Sequence, residues 1–595
     1  MKIHGGNIIG NVFGGGNAAD VKGNVHINIE GGHILNVFGG NNASGTVSGN
    51  IVLNVNQRGY TSSTCPINIG YLYGGGNRAN SNVAQMNIYY ANNIDYVFGG
   101  AKAANMTGNI NLNIVAGKIG TVFGGNDSGG AIDGKINVKV NWDETENKTI
   151  TFDDGTTFPA VTFLRENNSL KDVYGGGNVA DYGTGAKPGE IKVKVLNADM
   201  TGNVFGGGKE ATVTGTTEVT IGDWNPNHMV YIKKDVYGGG DQAGVTAGTT
   251  VTVNDCATLI EGDVYGGGNA APVGTTTAPA NTNVTVWGGT INRVFGGGHG
   301  YPEYTPPVGA DIYGNTNANI FGGTIQEAFG GSNSVGNITG KANITLDQRM
   351  CEVADEEGYR QQDACAMSLQ EVYGAGNQAK MEGEPNMTIL CVDELGEIYG
   401  GARAADIDRD IVLNVSSGKY RKVFGGNNVS GKISGTITVN VDETGCHPIV
   451  IGELYGGGNQ AEYETPEGKE SPVVNILSCT SIGTVYGGGY GEEAVITGSP
   501  YVNIDMVEGD WSNRIQSNTT DHPWSNKLGT IGTVFGGGNA ANVEGNTSVN
   551  IGTKTDIKRI NGEELPVQGA NIKGNVYGGG NAADVTGKTN VTVGK

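Results

Sequence analysis

The 595-residue sequence has little proline, little positive charge and no long apolar run. Its 16 prolines are too few for a proline-rich linker. Its 37 Lys and Arg face 59 Asp and Glu, a net charge of −22, which disfavours a nucleic-acid partner because most of the surface repels a polyanion. No apolar stretch reaches the roughly 18 residues that a membrane span needs, and the first residues lack a signal-peptide pattern. We therefore expect any membrane anchor to lie in segments outside this sequence, which we interpret as an excerpt of a longer exported chain or a unit that stacks on itself.

Cysteine is also scarce. Seven cysteines in so long a chain make no disulfide framework and no C-x-x-C metal motif, so we expect most of them to be free thiols. Cys351 and Cys365 share one inserted segment and are the candidates for a pair. Two acidic runs, at 143–146 and 355–357, are the one hint of calcium, but such runs are more typical of solvated loops. No cofactor and no metal site is predicted.

Glycine, in contrast, is abundant, with 105 residues and no Gly-X-Y period, which excludes collagen and indicates a turn-rich all-β chain. A repeat runs along the whole sequence, anchored on an aromatic residue that precedes a glycine run. The closest anchors are 25 and 26 residues apart, a period typical of solenoids. The eighteen anchors are Phe13, Phe38, Tyr73, Phe98, Phe123, Tyr174, Phe205, Tyr237, Tyr265, Phe295, Phe329, Tyr373, Tyr399, Phe424, Tyr455, Tyr486, Phe535 and Tyr577.

A second element follows each anchor by about 15 residues and alternates apolar and polar residues. Alternation predicts a β-strand, with Val25, Ile27 and Ile29 inward and His26 and Asn28 outward in the first full repeat. A third element, such as "HILNVF" at 33–38, leads back into the next aromatic. Each repeat is therefore predicted to form three short strands, and no helical pattern is present.

One such repeat cannot bury its own apolar face, but repeats stacked in parallel pair every strand with a neighbour about 4.8 Å away. The predicted fold is an all-β, single-stranded parallel β-helix, or β-solenoid, of about 18 coils of about 25 residues. Parallel crossovers are overwhelmingly right-handed, so we expect a right-handed solenoid. We expect residues 1–595 to form one continuous solenoid.

Two columns of repeated residues are predicted to be structural ladders. The residue after the glycine run is most often Asn, which suits a left-handed corner and whose amides can hydrogen-bond along the axis. The anchor rings are expected to stack on one another. Since the anchors are nine Phe and nine Tyr, we expect the hydroxyl to be dispensable and the ring edge to reach water. In the first coils the ladder residues are Phe13, Phe38, Tyr73, Phe98, Phe123, Asn17, Asn42 and Asn77.

Insertions lengthen several coils at one corner, the segment between the alternating strand and the next anchor. Insertions on one edge of a solenoid commonly form its binding face, although loops are also merely tolerated there. Four of the five tryptophans lie in these segments, where an exposed indole stacks on a sugar ring, or alternatively packs its own loop onto the solenoid. The predicted ligand-binding residues are Trp142, Trp224, Trp511 and Trp524. The insertions cover about 57–67, 141–169, 223–233, 347–368, 443–450, 506–530 and 554–572.

Catalytic motifs are weak. The "GHG" at 298–300 and the carboxylates Asp153 and Asp154 are the best candidates. However, His299 occupies the corner position that is usually Asn, and Asp153 is five coils away, roughly 25 Å at the coil spacing. Paired catalytic carboxylates lie within about 10 Å of each other. No catalytic residue is predicted.

The repeat V-[FY]-G-G-G-N-x-A-x-V-x-G-x-x-x-V-x-I, over essentially the whole chain, resembles the repeats of very large adhesin-like surface or secreted proteins of gut and other anaerobic bacteria. The resemblance implies a bacterial extracellular or cell-surface location. No family active-site motif is matched, so the resemblance carries over no catalytic residue. We expect a structural and adhesion rod that binds a glycan or another host or bacterial surface through the loops of one edge. The alternatives are a self-associating fibre built by head-to-tail coil stacking and a polysaccharide-degrading lyase or hydrolase.

Overall fold

The structure is a computed structural model that describes residues 1–59, 62–142, 165–348, 351–355, 358–362, 365–507, 529–553, 558–560, 563–565 and 567–594. These residues form strands, connecting turns and a short 3-10 helix, Arg165–Asn167, without an α-helix. Over the same ranges, no helix has the length and apolarity needed to span a membrane. The chain divides into two compact units. Unit 1 is Met1–Asn292 with Gly298–Tyr313, and unit 2 is Arg293–Gly297 with Gly314–Lys595.

Unit 1 contains two parallel ladders of strands. The first ladder consists of the alternating strands Lys2–Ile3, Val25–Ile29, Ile51–Asn56, Ala84–Tyr90, Ile110–Ile114, Ile136–Asn141, Gly189–Met200, Gly215–Ile221, Thr249–Val253 and Thr282–Val286. The second ladder carries the aromatic anchors and consists of Asn7–Phe13, Gly32–Phe38, Ile67–Tyr73, Asn93–Phe98, Lys118–Phe123, Ser169–Tyr174, Val204–Phe205, Val230–Ile232, Val236–Tyr237 and Leu259–Tyr265. The strand Thr290–Phe295 contributes residues to both units.

Unit 2 is built in the same way. Its first ladder consists of Thr316–Ile320, Ala342–Asp347, Pro385–Cys391, Ile411–Val415, Ile437–Asp442, Val473–Ser478, Tyr501–Ile504, Thr547–Ile551 and Thr589–Val593. Its second ladder consists of Gly323–Phe329, Met367–Tyr373, Glu394–Tyr399, Gly418–Phe424, Ile449–Tyr455, Ser481–Tyr486, Thr530–Phe535, Asn571–Ile572 and Val576–Tyr577.

The strands pair in parallel with those of neighbouring coils, and the register shifts locally in a few pairs. Ile27 pairs with Leu53, for example, and Ile29 pairs with Val55. The strand Val25–Ile29 alternates between buried and solvent-facing residues, and Ile27 and Ile29 are fully buried. Period-two alternation places all the apolar residues of a strand on one face, so stacking the coils seals them in a common core. The predicted all-β parallel solenoid fold is confirmed.

The coils differ from the prediction in their number of strands. The sequence "HILNVF" and its aromatic anchor belong to one strand, Gly32–Phe38, so most coils have two strands. Single-residue bridges close the third side, as between Val21 and Val47 and between Val47 and Ser81. In unit 2 this side becomes a short parallel ladder of Tyr463–Glu464, Ile496–Thr497 and Val543–Glu544.

A close approach of backbones explains the glycine that follows each anchor. A Cβ placed on Gly39 would lie 2.2 Å from the carbonyl oxygen of Gly74, and one on Gly74 would lie 2.2 Å from that of Gly99. No side chain fits at such distances, because real Cβ contacts exceed about 3 Å. The glycine column is therefore required by the stacking of one coil on the next.

The inserted segments begin where first-ladder strands end, and several contain strands of their own. Antiparallel pairs join Cys351–Asp355 to Gly358–Gln362, Lys558–Ile560 to Glu563–Leu565, and Met506–Val507 to Val567–Gly569. The insertion at 223–233 contributes Val230–Ile232 to the second ladder. Most of the insertions at 141–169 and 506–530 lies outside the described residues.

The expectation of mostly free cysteines is wrong. Cys391 and Cys446 form a disulfide, with their Cα atoms 5.1 Å apart. Cys256 and Cys365 are also disulfide-bonded, whereas Cys65 and Cys479 are free. The predicted partner of Cys365, Cys351, has a side chain outside the described residues, as does most of both acidic runs proposed for calcium.

Candidate functional site

The aromatic anchors form a column of stacked rings in each unit. Phe38 and Tyr73 are 4.7 Å apart between ring centroids with an interplanar angle of 2°, and Tyr73 and Phe98 are 4.9 Å apart. All three side chains are only 2 % exposed. The expectation that the ring edges reach water is therefore wrong for these anchors.

The tyrosine hydroxyls of this column have specific acceptors. In five coils the hydroxyl donates to the carboxylate of the residue two positions earlier in the chain. The pairs are Tyr237–Asp235, Tyr265–Asp263, Tyr373–Glu371, Tyr399–Glu397 and Tyr455–Glu453, with oxygen–oxygen distances of 2.6–3.0 Å.

The sequence carries a signal for this pairing. Six of the nine Tyr anchors have Asp or Glu two positions earlier, against one of the nine Phe anchors. Burial, reinforced by the carboxylate of Glu397, raises the pKa of Tyr399 far above its usual value, so the hydroxyl remains a donor. The choice between Phe and Tyr therefore follows the acceptor beside the ring, and the expectation of a dispensable hydroxyl is wrong in these coils.

Asparagine side chains link successive coils along the corner. The amide of Asn42 donates to the side-chain oxygen of Asn17 at 2.8 Å, and that of Asn77 donates to Asn42 at 2.9 Å. A second row runs along the outward face of the first ladder, where Asn54 donates to Asn28 at 3.0 Å. These rows satisfy amides on the surface and fix the register between coils.

A different set of asparagines, which was not predicted from the sequence, lies inside the corner and makes hydrogen bonds to its backbone. These residues replace the third glycine of the repeat, giving "GGNN" at 39–42 and 425–428 and "GGND" at 124–127. Asn126, which is 1 % exposed, accepts from the amide of Ala101 at 2.7 Å and donates to the carbonyl of Ala104 at 3.0 Å. Asn41 and Asn427 make equivalent contacts. The replacement of the third glycine by Asn is the feature of the sequence from which these buried residues could have been predicted.

Among the described residues, a candidate binding site lies beside the aromatic column in unit 1. The residues two positions before the anchors form an outward row that includes, in successive coils, Asn36, Tyr71, Tyr96, Thr121 and Asp172. Tyr71 and Tyr96 are 37 % and 39 % exposed, and their rings stack 5.0 Å apart at 11°. Thr121 comes next and carries no ring, so the stack ends at Tyr96, beside an open groove of about 760 Å³.

We call this the tyrosine groove, lined by Tyr71, Tyr96 and Thr121 and by the charged residues described next. Its volume lies within the range of small-ligand sites, about 300–1,000 Å³. An exposed aromatic ring beside an open space provides a flat apolar surface for a ring-shaped ligand. Ligand-binding pockets combine aromatic side chains with a few placed polar groups, and this groove has both.

The charges of the tyrosine groove differ from those of the chain as a whole. Three lysines and two aspartates line it, in a chain with a net charge of −22. Lys209 pairs with Glu210 at 3.1 Å and Lys171 pairs with Asp172 at 3.5 Å, so an anionic ligand would meet Lys102 directly and would compete with Asp172 for Lys171. The two lining aspartates are Asp127 and Asp172.

Both aspartates already accept hydrogen bonds from the protein. Asp127 accepts from the Tyr73 hydroxyl at 3.0 Å and from the Asn178 amide at 3.0 Å. Asp172 accepts from the backbone amide of Asn203 at 2.9 Å. Their role is therefore partly structural, and a ligand carboxylate would turn toward the lysines.

The sequence-predicted tryptophans are placed differently from one another. Trp142 is 1 % exposed, and the Arg165 guanidinium lies 5.8 Å from its ring centroid, so neither face of the indole is open to a ligand. Trp224 is half-buried and has a φ of 62°, a left-handed conformation unusual for a bulky residue. Trp511 and Trp524 lie outside the described residues. A sugar-binding role for this edge stays a prediction.

The enzyme and fibre hypotheses also stay predictions. His299 continues the corner column, with Nδ1 3.0 Å from the side-chain oxygen of Asn269, and Asp153 and Asp154 lie outside the described residues. For the fibre, the strand Thr589–Val593 pairs through one edge with Thr547–Ile551, and Val593 is 70 % exposed. Comparison with known proteins finds no matching family model, no matching curated protein and no matching solved structure.

Proposed function

We propose that this protein is an extracellular structural and adhesive β-solenoid that binds an anionic saccharide in the tyrosine groove. The exposed Tyr71–Tyr96 stack, ending beside Thr121, carries the proposal. A pyranose ring placed against the free face of Tyr96 would gain the apolar contact that sugar-binding aromatic residues provide. The ammonium groups of Lys102 and Lys171 would take its carboxylate.

The extracellular location is supported by the Cys391–Cys446 disulfide, since such bonds persist mainly in oxidising environments. The resemblance of the repeat to those of adhesin-like bacterial surface proteins supports the same location. A solenoid held by in-register ladders suits adhesion because it presents side chains at fixed spacing along a surface. The adhesive role and the bacterial surface are parts of the proposal.

The proposal is tested by measuring how tightly the protein binds uronic-acid oligosaccharides and the same oligosaccharides after reduction of their carboxyl groups. We expect the acidic forms to bind more tightly than the reduced forms. Their affinity should fall with added salt, because two lysines supply much of the attraction. Tyr96→Ala should weaken binding about tenfold, close to the 1.4 kcal/mol that corresponds to that factor and to the worth of an aromatic contact. Lys171→Gln should weaken only the acidic ligands.

The matched control is Tyr304→Ala, which removes a tyrosine that is 56 % exposed in the same unit but does not line the groove. Its binding should equal that of the wild type. Equal binding by Tyr96→Ala and the wild type would contradict the proposal. Loss of binding with Trp224→Ala alone would move the site to the inserted edge, and release of shortened oligosaccharides would favour the enzyme hypothesis.

A further inference from the structure

A cluster of sulfur and imidazole donors lies in unit 2, apart from the residues that line the tyrosine groove. It consists of Cys391, Cys446 and His447, whose donor atoms all lie within 4.8 Å of one another. Each of the three residues is partly exposed. Cys391 and Cys446 are joined by a disulfide in this structure. Reduction of that bond would leave two thiols and an imidazole at one point on the surface.

The stacking of the coils explains why these residues meet. Cys391 is the last residue of the strand Pro385–Cys391. Cys446 follows the strand Ile437–Asp442, which is the second strand after it in the first ladder. The two cysteines are therefore separated by one intervening coil, which turns at Ser416 and Ser417. Only a small residue in that coil leaves room for the sulfurs to approach.

Ser417 is that small residue. It is fully buried, and its hydroxyl donates to the carbonyl oxygen of Val392 at 2.8 Å and accepts from the amide of the same residue at 3.0 Å. Its Oγ lies 3.8 Å from the sulfur of Cys446. Gly445 brings the other segment close, since a Cβ there would lie 2.0 Å from the carbonyl oxygen of Leu390. The corner is thus built to bring Cys391 and Cys446 together.

We propose that Cys391, Cys446 and His447 form a redox-gated site for a thiophilic divalent cation, zinc. Two thiolates and an imidazole are the donor types that zinc prefers, and three protein ligands leave the fourth position to water. With zinc–sulfur bonds of about 2.3 Å, tetrahedral geometry places the sulfurs about 3.8 Å apart. Release of the disulfide allows this separation through side-chain rotation at a partly exposed corner.

The gating step balances as a thiol–disulfide exchange. An external dithiol transfers two electrons and two protons to the disulfide, breaks the sulfur–sulfur bond and is itself oxidised to a disulfide. Zinc then displaces the two thiol protons, which pass to water. In both states a cross-link joins two coils of unit 2, covalent when oxidised and through the metal when reduced.

Another corner provides a control. Cys65 is free, and its sulfur lies 2.8 Å from the position of a Cβ on Gly5, two coils earlier. This corner brings a sulfur close to a backbone two coils away, as at Cys446, but the opposing residue is glycine. Cys65→Ser therefore removes a thiol from an equivalent position without touching the proposed zinc site.

Zinc binding by the full chain tests the proposal, with competition from a chromophoric chelator under anaerobic conditions. Protein reduced with dithiothreitol and then desalted should bind one more equivalent of zinc than oxidised protein. Cobalt should give a thiolate charge-transfer band in the reduced protein. Reduced Cys391→Ser should lose that equivalent and the band, and His447→Gln should lower zinc affinity at least tenfold. Reduced Cys65→Ser should keep both.

Equal zinc stoichiometry for reduced wild type and reduced Cys391→Ser would overturn the proposal, since other thiols would then account for any binding. Equal zinc binding before and after reduction would overturn the redox gate. A far-ultraviolet circular dichroism spectrum typical of β-strand in every variant establishes that each one is folded. The loss of cobalt absorption in Cys391→Ser then reports on the site itself.

Discussion

Asn427 offers the sharpest stability prediction because its side chain is fully buried and makes four hydrogen bonds, two to the preceding coil and two within its own turn. Its oxygen accepts from the amide of Ala402 at 2.8 Å, and its amide donates to the carbonyls of Ala405, Ser430 and Gly431 at 3.0–3.1 Å. Asn427→Ala leaves the buried amide of Ala402 without its acceptor. One unsatisfied buried group costs about 1–3 kcal/mol, and the carbonyls add to it, so we expect a loss of about 2–4 kcal/mol.

Hydrogen exchange followed by mass spectrometry of peptides that cover residues 398–432 measures this loss locally, which suits a repeat protein whose coils depend on their neighbours. The expected loss corresponds to roughly 30- to 700-fold faster exchange. The control is Asn414→Ala, which removes an outward amide oxygen that accepts from Asn440 at 2.9 Å and that water can replace. Unchanged exchange in Asn427→Ala, or an equal change in Asn414→Ala, would refute the reasoning.

Two further predictions concern acidic side chains that accept hydrogen bonds. Glu397→Ala should destabilise by about 1–3 kcal/mol because the hydroxyl of Tyr399 loses its acceptor at 2.7 Å, and Tyr399→Phe should recover much of that loss in a double-mutant cycle of chemical unfolding. Burial raises the pKa of Glu443 from its ordinary 4.5 to about 7, so the folded protein holds a proton that the unfolded chain releases between these values. Stability should therefore fall as pH rises through this window, by at most about 3 kcal/mol. Glu443→Gln should flatten that pH dependence, and an unchanged slope would contradict the assignment.

The sequence predicts the repeat, its strand alternation and the parallel stacking, because each depends on a periodicity of about 25 residues that is visible in one dimension. The Tyr–carboxylate pairing was also present in the sequence, as the acidic residue two positions before Tyr399. The tyrosine groove was not predicted from the sequence, because the residue that lies beside Tyr96 on the adjacent strand depends on the register between coils.

Insertions of unequal length change the sequence separation between residues that are adjacent in the stack, so such neighbours are difficult to predict. Cys391 and Cys446 are 55 residues apart in the sequence and meet only because the stack places their coils close together, with one coil between them. Thr121 pairs with Asp172 across the inserted segment at 141–169. Burial was equally hidden, since Trp142 and Trp224 both have Asp and Asn as sequence neighbours although Trp142 is enclosed and Trp224 is only half-buried. Residue type alone does not tell an enclosed indole from an open one.

The central claim, that successive coils lie in register and so assemble the tyrosine groove, is tested most directly by paired cysteine substitutions. Asn87 and Asn113 face each other on strands of the coils that carry Tyr71 and Tyr96, with the amide of Asn113 donating to Asn87 at 2.9 Å. Asn87→Cys with Asn113→Cys should form a disulfide on mild oxidation, detected as a cross-linked peptide by mass spectrometry. Asn87→Cys with Asn111→Cys, displaced by two residues on the same face, should form little. Equal cross-linking of both pairs, or preference for the displaced pair, would contradict the register.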